Sequence, residues 1–103
     1  MTPISLDNGL KPHHQQQLIA ILSNHPHVEH VWLFGSRAMG NFKATSDIDL
    51  VIQGEQLTLT DRATLLATIE LTTIPYQVDL LIKHAITNTK LLEHIEEHGV
   101  QWF

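Results

Sequence analysis

The chain contains no cysteine, which excludes both disulfide frameworks and thiolate metal centres. It is also poor in basic residues: six Lys and Arg stand against eleven Asp and Glu, for a formal net charge of −5. An extended nucleic-acid footprint needs Lys and Arg clustered on one face, so no direct nucleic-acid contact is expected. No apolar run approaches the roughly 20 residues that a bilayer-spanning helix requires. The opening "MTPISLDNGLKPHH" lacks a basic lead followed by an apolar core, so neither a secretory signal nor a membrane is expected. The cytoplasm is the default location. Repeats and low-complexity tracts are absent too, and 103 residues suit a single domain over 1–103. A chain of this size buries roughly 60–70% of the surface its unfolded form exposes, enough for one sheet and a few helices.

What is present reads as alternating helices and strands. "DNG" (Asp7 to Gly9) is a turn. Pro12 suits the first turn of a helix whose apolar face carries Leu18, Ile19 and Leu22, ending near Ser23 before Pro26. "VEHVWLF" (Val28 to Phe34) is rich in β-branched and aromatic residues and reads as a strand. Gly35 breaks it, and "SRAM" forms a short helix closed by Gly40. "DIDLVI" (Asp47 to Ile52) is a second strand, with Ile48, Leu50 and Ile52 on one face and Asp47, Asp49 and Val51 on the other. A second long helix is predicted from an N-cap at Thr60, with Asp61 in its first turn. "YQVDLLI" (Tyr76 to Ile82) is a third strand that places Asp79 opposite Val78 and Leu80. A last helix with Leu91, Leu92 and Ile95 ends at Gly99, and "VQWF" makes a short edge strand. The expected fold is α+β, a small mixed sheet backed by helices on one face.

Asp47, Asp49 and Asp79 therefore sit within otherwise apolar strands, where a carboxylate is expensive unless something offsets it. If the two strands are neighbours, the three carboxylates converge and raise one another's pKa. A hard divalent cation is the natural partner, and Mg²⁺ in particular combines a few carboxylates with substrate phosphates. Two such ions would stabilise the attacking and leaving oxygens of an in-line phosphoryl displacement. Gly35 and Ser36, at a strand-to-helix corner, offer backbone N–H groups and a hydroxyl to a phosphate, and Arg37 is positioned to neutralise charge. The bland alternatives are a solvated strand-end pair at Asp47 and Asp49, an acid satisfied by backbone donors at Asp79, and a plain ion pair at Arg37.

"GSRAMGNFKATSDIDLVI" resembles the signature of the DNA polymerase β-like nucleotidyltransferase superfamily: Gly-Ser, ten residues, then Asp-x-Asp. With the later "VDLLI" and the short length, the chain is similar to its minimal nucleotidyltransferases, from about Val28 to the "HGVQWF" ending. The resemblance implies the polymerase β-like fold, metal ligation by Asp47, Asp49 and Asp79, and a triphosphate held by Gly35 and Ser36. It further implies that Asp79 acts as general base, with two Mg²⁺ (or Mn²⁺) ions as cofactors and ATP as substrate. The implied activity is AMP transfer to a hydroxyl, a tyrosine, of a HEPN-type helical partner encoded nearby, so that the chain is its antitoxin. Met39 departs from the pattern, standing where relatives often carry a second basic residue. Two alternatives are an antitoxin that acts by complex formation alone and a nucleotidyltransferase acting on a small molecule. The histidines of "HPHVEH" (His25, His27, His30) and the pair His94/His98 match no metal-protease pattern and read as solvated.

Overall fold

Helix α1 spans Pro12–Ser23 with its proline in the first turn, in a computed structural model that describes residues 8–103. Expectations that rest on residues 1–7, including Asp7 of the first turn, lie outside the described residues. The rest of that turn is formed: the Leu10 N–H donates to Asn8 Oδ1 at 3.0 Å. Strand β1 (His30–Phe34) starts two residues later than the apolar pattern predicts. The Val28 N–H turns back onto the His25 carbonyl instead of joining the ladder. Helix α2 (Gly35–Met39) follows at once and is closed by Gly40 in the left-handed region.

Strand β2 covers Ile48–Gln53, so Asp47 stands just ahead of it. Helix α3 (Leu59–Glu70) begins at an N-cap two residues earlier than expected. The reason is a reciprocal capping box: Thr58 Oγ1 accepts from the Asp61 N–H, and Asp61 Oδ2 accepts from the Thr58 N–H. Strand β3 is Val78–Ile82, followed by a short 3₁₀ turn at Lys83–Ala85. Helix α4 (Thr89–His98) is capped by the Asn88 side chain, which accepts from the Lys90 and Leu91 N–H groups. Gly99 closes α4 for reasons of space: a Cβ there would lie 2.3 Å from the Ile95 carbonyl oxygen. Strand β4 is Val100–Gln101. No described helix is long and apolar enough to cross a membrane.

The sheet order is β3-β2-β1-β4, with β2 and β3 parallel and the other pairs antiparallel. One face carries Val31, Leu33, Leu50, Ile52 and Leu80, covered by Leu18 and Leu22 of α1 and by Leu65 and Ile69 of α3. Each such side chain contributes about 1.5–3 kcal/mol when removed from water. The expectation of helices on one face needs correction. Ile95 of α4 packs with Phe34 and Val51 on the opposite face, with Trp32, Leu81 and Leu91 around them. β2 is consequently buried on both faces at its centre, which explains its unbroken "LVI" run. Beyond α4, that second face carries Asp49 and Asp79.

Candidate active site

The parallel register sets Asp49 directly beside Asp79, and the antiparallel register sets Phe34 across from Asp49. The residue after Phe34 is Gly35, with φ +75°, where the chain leaves β1 and enters α2. A Cβ at Gly35 would lie 2.3 Å from Asp49 Oδ2. The corner is thus glycine for two separate reasons, the left-handed backbone and the carboxylate pressed against it.

Asp47 and Asp79 both lie close enough to Asp49 to act on its charge, although the three do not sit inside a buried strand. Asp47 and Asp79 are exposed, and Asp49 alone is half-buried. Burial pushes the Asp49 carboxyl up to about 6. The neighbouring charges of Asp79 and Asp47 push the same way, as does a side-chain hydrogen bond with Asp79. The Arg37 charge opposes them. Oxygen donors crowded on one sheet face, with mutual repulsion to be relieved, fit a hard divalent cation.

Ser36 is half-buried in the first turn of α2. The Gly35 N–H already has an acceptor, His94 Nε2 at 3.2 Å. With Nε2 as the acceptor, Nδ1 is the ring nitrogen left to donate. His94 also lies edge-on to the Phe34 ring at 6.3 Å between centroids. Sequence reasoning considered this histidine only with His98, because nothing in the spacing links α4 to the corner.

Arg37 differs from expectation. Its side chain is 1% exposed, and it donates to backbone carbonyls: Ser46 at 2.8 and 3.1 Å, Asn8 at 2.9 Å, and Ala44 at 3.5 Å. The rings of Tyr76 and Phe42 lie 4.6 and 5.2 Å from the guanidinium carbon. The guanidinium fastens the 41–47 loop, and so holds Asp47 in front of β2, where a phosphate contact had been expected. A cleft of about 530 Å³ opens beside Asp79 along the β3 edge, with Arg62, Glu70, Tyr76 and Gln77 on its walls.

Residues 16–103 match the family described as Polymerase beta, Nucleotidyltransferase. The chain belongs to this family. It is a nucleotidyltransferase, and its described residues form the four-stranded mixed sheet and four helices of that fold. Among solved structures, a minimal nucleotidyltransferase shares 24% identity at a TM-score of 0.70, over 95% of this chain and 98% of its own. A toxin-antitoxin structure with AMP-PNP shares 24% at 0.71, over 91% and 73%. A complex of tri-AMPylated Shewanella oneidensis HEPN toxin with MNT antitoxin shares 22% at 0.69, over 91% and 72%. At these identities the likeness is one of fold. No curated protein matches the chain.

Gly35→Ala tests the corner. A left-handed backbone costs a residue with a Cβ about 1–2 kcal/mol. The new methyl also displaces the Asp49 carboxylate, and if that carboxylate serves the reaction, a misplacement of about 1 Å costs roughly a hundredfold in rate. Urea unfolding should show the modest loss of stability, and nucleotidyl transfer should fall far more than that loss explains.

Proposed function

We propose that this nucleotidyltransferase moves AMP from ATP to a tyrosine hydroxyl of a HEPN-type partner protein, and so acts as its antitoxin. The observation that carries the reading is the Asp49–Asp79 pair in register, with Gly35 against Asp49. The structural neighbours support the group transferred and the class of acceptor: one holds AMP-PNP, and another pairs an AMPylated HEPN toxin with an MNT antitoxin.

Asp47, Asp49 and Asp79 would hold two divalent ions, Mg²⁺ or Mn²⁺, which when bound supply positive charge to the α-phosphate and the departing pyrophosphate. The remaining roles belong to the chain itself. Gly35 brings bare backbone to the triphosphate, and Ser36 adds a hydroxyl donor. The Gly35 N–H exchanges His94 for a phosphate oxygen, so His94 yields when ATP enters. Asp79, exposed on an edge strand, takes the proton from the incoming hydroxyl. The hydroxyl oxygen forms the new bond to the α-phosphorus while the bond to the β-phosphate bridging oxygen breaks, releasing pyrophosphate. Arg37 acts by fixing the loop that carries Asp47.

ATP labelled at the α- or the γ-phosphate, incubated with this protein and its HEPN-type partner, tests the reading. Label should stay on the partner from the α position only. Retention from γ would mean kinase chemistry. No label, together with full neutralisation of the partner by an Asp47→Ala/Asp49→Ala variant, would leave an antitoxin that works by complex formation alone.

A further inference from the structure

We propose that the loop between α1 and β1 and the first turn of α3 form a second cation site, for Zn²⁺ or a similar borderline metal, ligated by His25, His27 and Asp61. One ligand atom from each of the three lies within 4.8 Å of the others. His25 Nε2 is 3.4 Å from Asp61 Oδ1, and His27 Nδ1 is 3.1 Å from Asp61 Oδ2. Donors held at about 2.0–2.1 Å around a tetrahedral Zn²⁺ stand about 3.3 Å apart. The two histidine contacts, which run to different oxygens of Asp61, are of that order.

The donor set selects the metal. Two imidazoles and one carboxylate suit Zn²⁺, Co²⁺ or Ni²⁺, whereas Mg²⁺ prefers oxygen throughout. Three protein ligands leave a fourth position open to water or to a donor from a partner. The ligands are also held in place before any ion arrives. Pro26 stiffens the link between the two histidines. Gly54 backs the loop so closely that a Cβ there would lie 1.8 Å from the His27 carbonyl oxygen. The Thr58 N–H donates to Asp61 Oδ2 at 3.0 Å, the kind of outer partner that orients a ligating carboxylate. Partial burial adds to this, since the His25 and Asp61 side chains are 15% and 18% exposed.

The site is separate from the three catalytic-site aspartates. His30 pairs with Gln53, while Phe34 pairs with Asp49, so the histidine loop adjoins the other end of the β1–β2 ladder. Four residues of strand put the two ends about 13 Å apart. In the absence of metal a proton occupies the position of the ion. His25 Nδ1 accepts from the His27 N–H at 3.1 Å, so its proton resides on Nε2 and points at Asp61. Metal at Nε2 drives that proton to Nδ1, so the Nε2–H contact with Asp61 and the bond from the His27 N–H are both exchanged for coordination. Asp61 lies 34 positions beyond His27, which is why the histidines looked ligand-poor in the sequence.

The test is titration of the full chain with ZnCl₂ under excess Mg²⁺, read by calorimetry and by thermal unfolding. A Co²⁺ titration reports coordination through its visible absorption. Wild type should take up one equivalent, unfold at a higher temperature with Zn²⁺, and give the intense bands of four-coordinate Co²⁺. Asp47→Ala/Asp49→Ala and His94→Ala/His98→Ala should behave the same way. His25→Ala/His27→Ala should lose the equivalent, the stabilisation and the bands. His27→Gln, a milder change at the more exposed ring, should lose the bands if the double variant does not fold. No zinc uptake by wild type, or equal uptake by the folded histidine variants, overturns the proposal.

Discussion

Asp49→Asn is expected to abolish nucleotidyl transfer while making the metal-free protein harder to unfold. The loss of activity follows from the proposed role of Asp49, whose charge would help hold the metal at the site where charge develops. Such stabilisation is worth several kcal/mol, a fall of at least about a thousandfold. The gain in stability follows from the raised Asp49 pKa. An acid whose pKa is about 6 when folded, against its ordinary value of 3.8, binds its proton more tightly in the native state. Between those values the folded protein holds more protons than the unfolded chain, so stability is lost as pH rises. The repulsion is fully present above pH 6. Asparagine keeps the shape and carries no charge to desolvate. Thermal unfolding in the presence of a chelator should therefore show variant and wild type close together near pH 4. By pH 7 the variant should unfold several degrees higher. Coincident curves at pH 7 would mean that Asp49 is well solvated and sits in no strained cluster. The trade is a common one: a site arranged for chemistry destabilises the fold that carries it.

Arg37→Ala should be the most damaging single substitution around the strand-to-helix corner. Its guanidinium belongs to the largest fully buried side chain among the described residues, and it satisfies the carbonyls of Asn8 and Ser46. Truncation leaves those acceptors facing a cavity lined by Tyr76 and Phe42. At about 1–3 kcal/mol for each unsatisfied group, plus the cavity, the expected loss is about 3–5 kcal/mol. That is a large share of the stability of any small domain. Arg37→Lys should recover little, because one ammonium cannot reproduce a fork that reaches carbonyls on two segments. Urea midpoints measure both variants. Should Arg37→Ala unfold like wild type and lose only its affinity for ATP, the residue would be a phosphate ligand after all.

These two residues also mark how far the sequence could be read. Asp49 and Asp79 were legible because a two-residue period in two apolar runs leaves a carboxylate only one face to occupy. The convergence then needed nothing beyond parallel pairing. Gly35 was legible as a corner, since a glycine set between a β-branched run and a helix is where the chain can change direction at least steric cost. The burial of Arg37 was not legible, because it depends on Tyr76 and Phe42 closing over it, and neither ring carries a local signal. The placement of α4 on the second face was missed for a similar reason. Leu91 and Ile95 announce an apolar stripe, but a stripe does not say which side of a sheet it will cover. The N-cap at Thr58 was in reach, since Thr58 and Asp61 have the spacing of a capping box. Thr60, adjacent to Asp61, was the more obvious candidate and the wrong one.

The side-by-side seating of Asp49 and Asp79 restricts where the gene can change length. Side chains on a strand alternate, so a single codon inserted ahead of Asp79 within β3 would carry its carboxylate through the sheet and into the layer under α1 and α3. Leu80 would leave that layer in the same movement. The residues joining α3 to β3 face no such rule, because slack there is absorbed before pairing begins. Insertions and deletions should therefore survive selection in the connection and vanish from the strand, a difference that a library of one-codon insertions would expose.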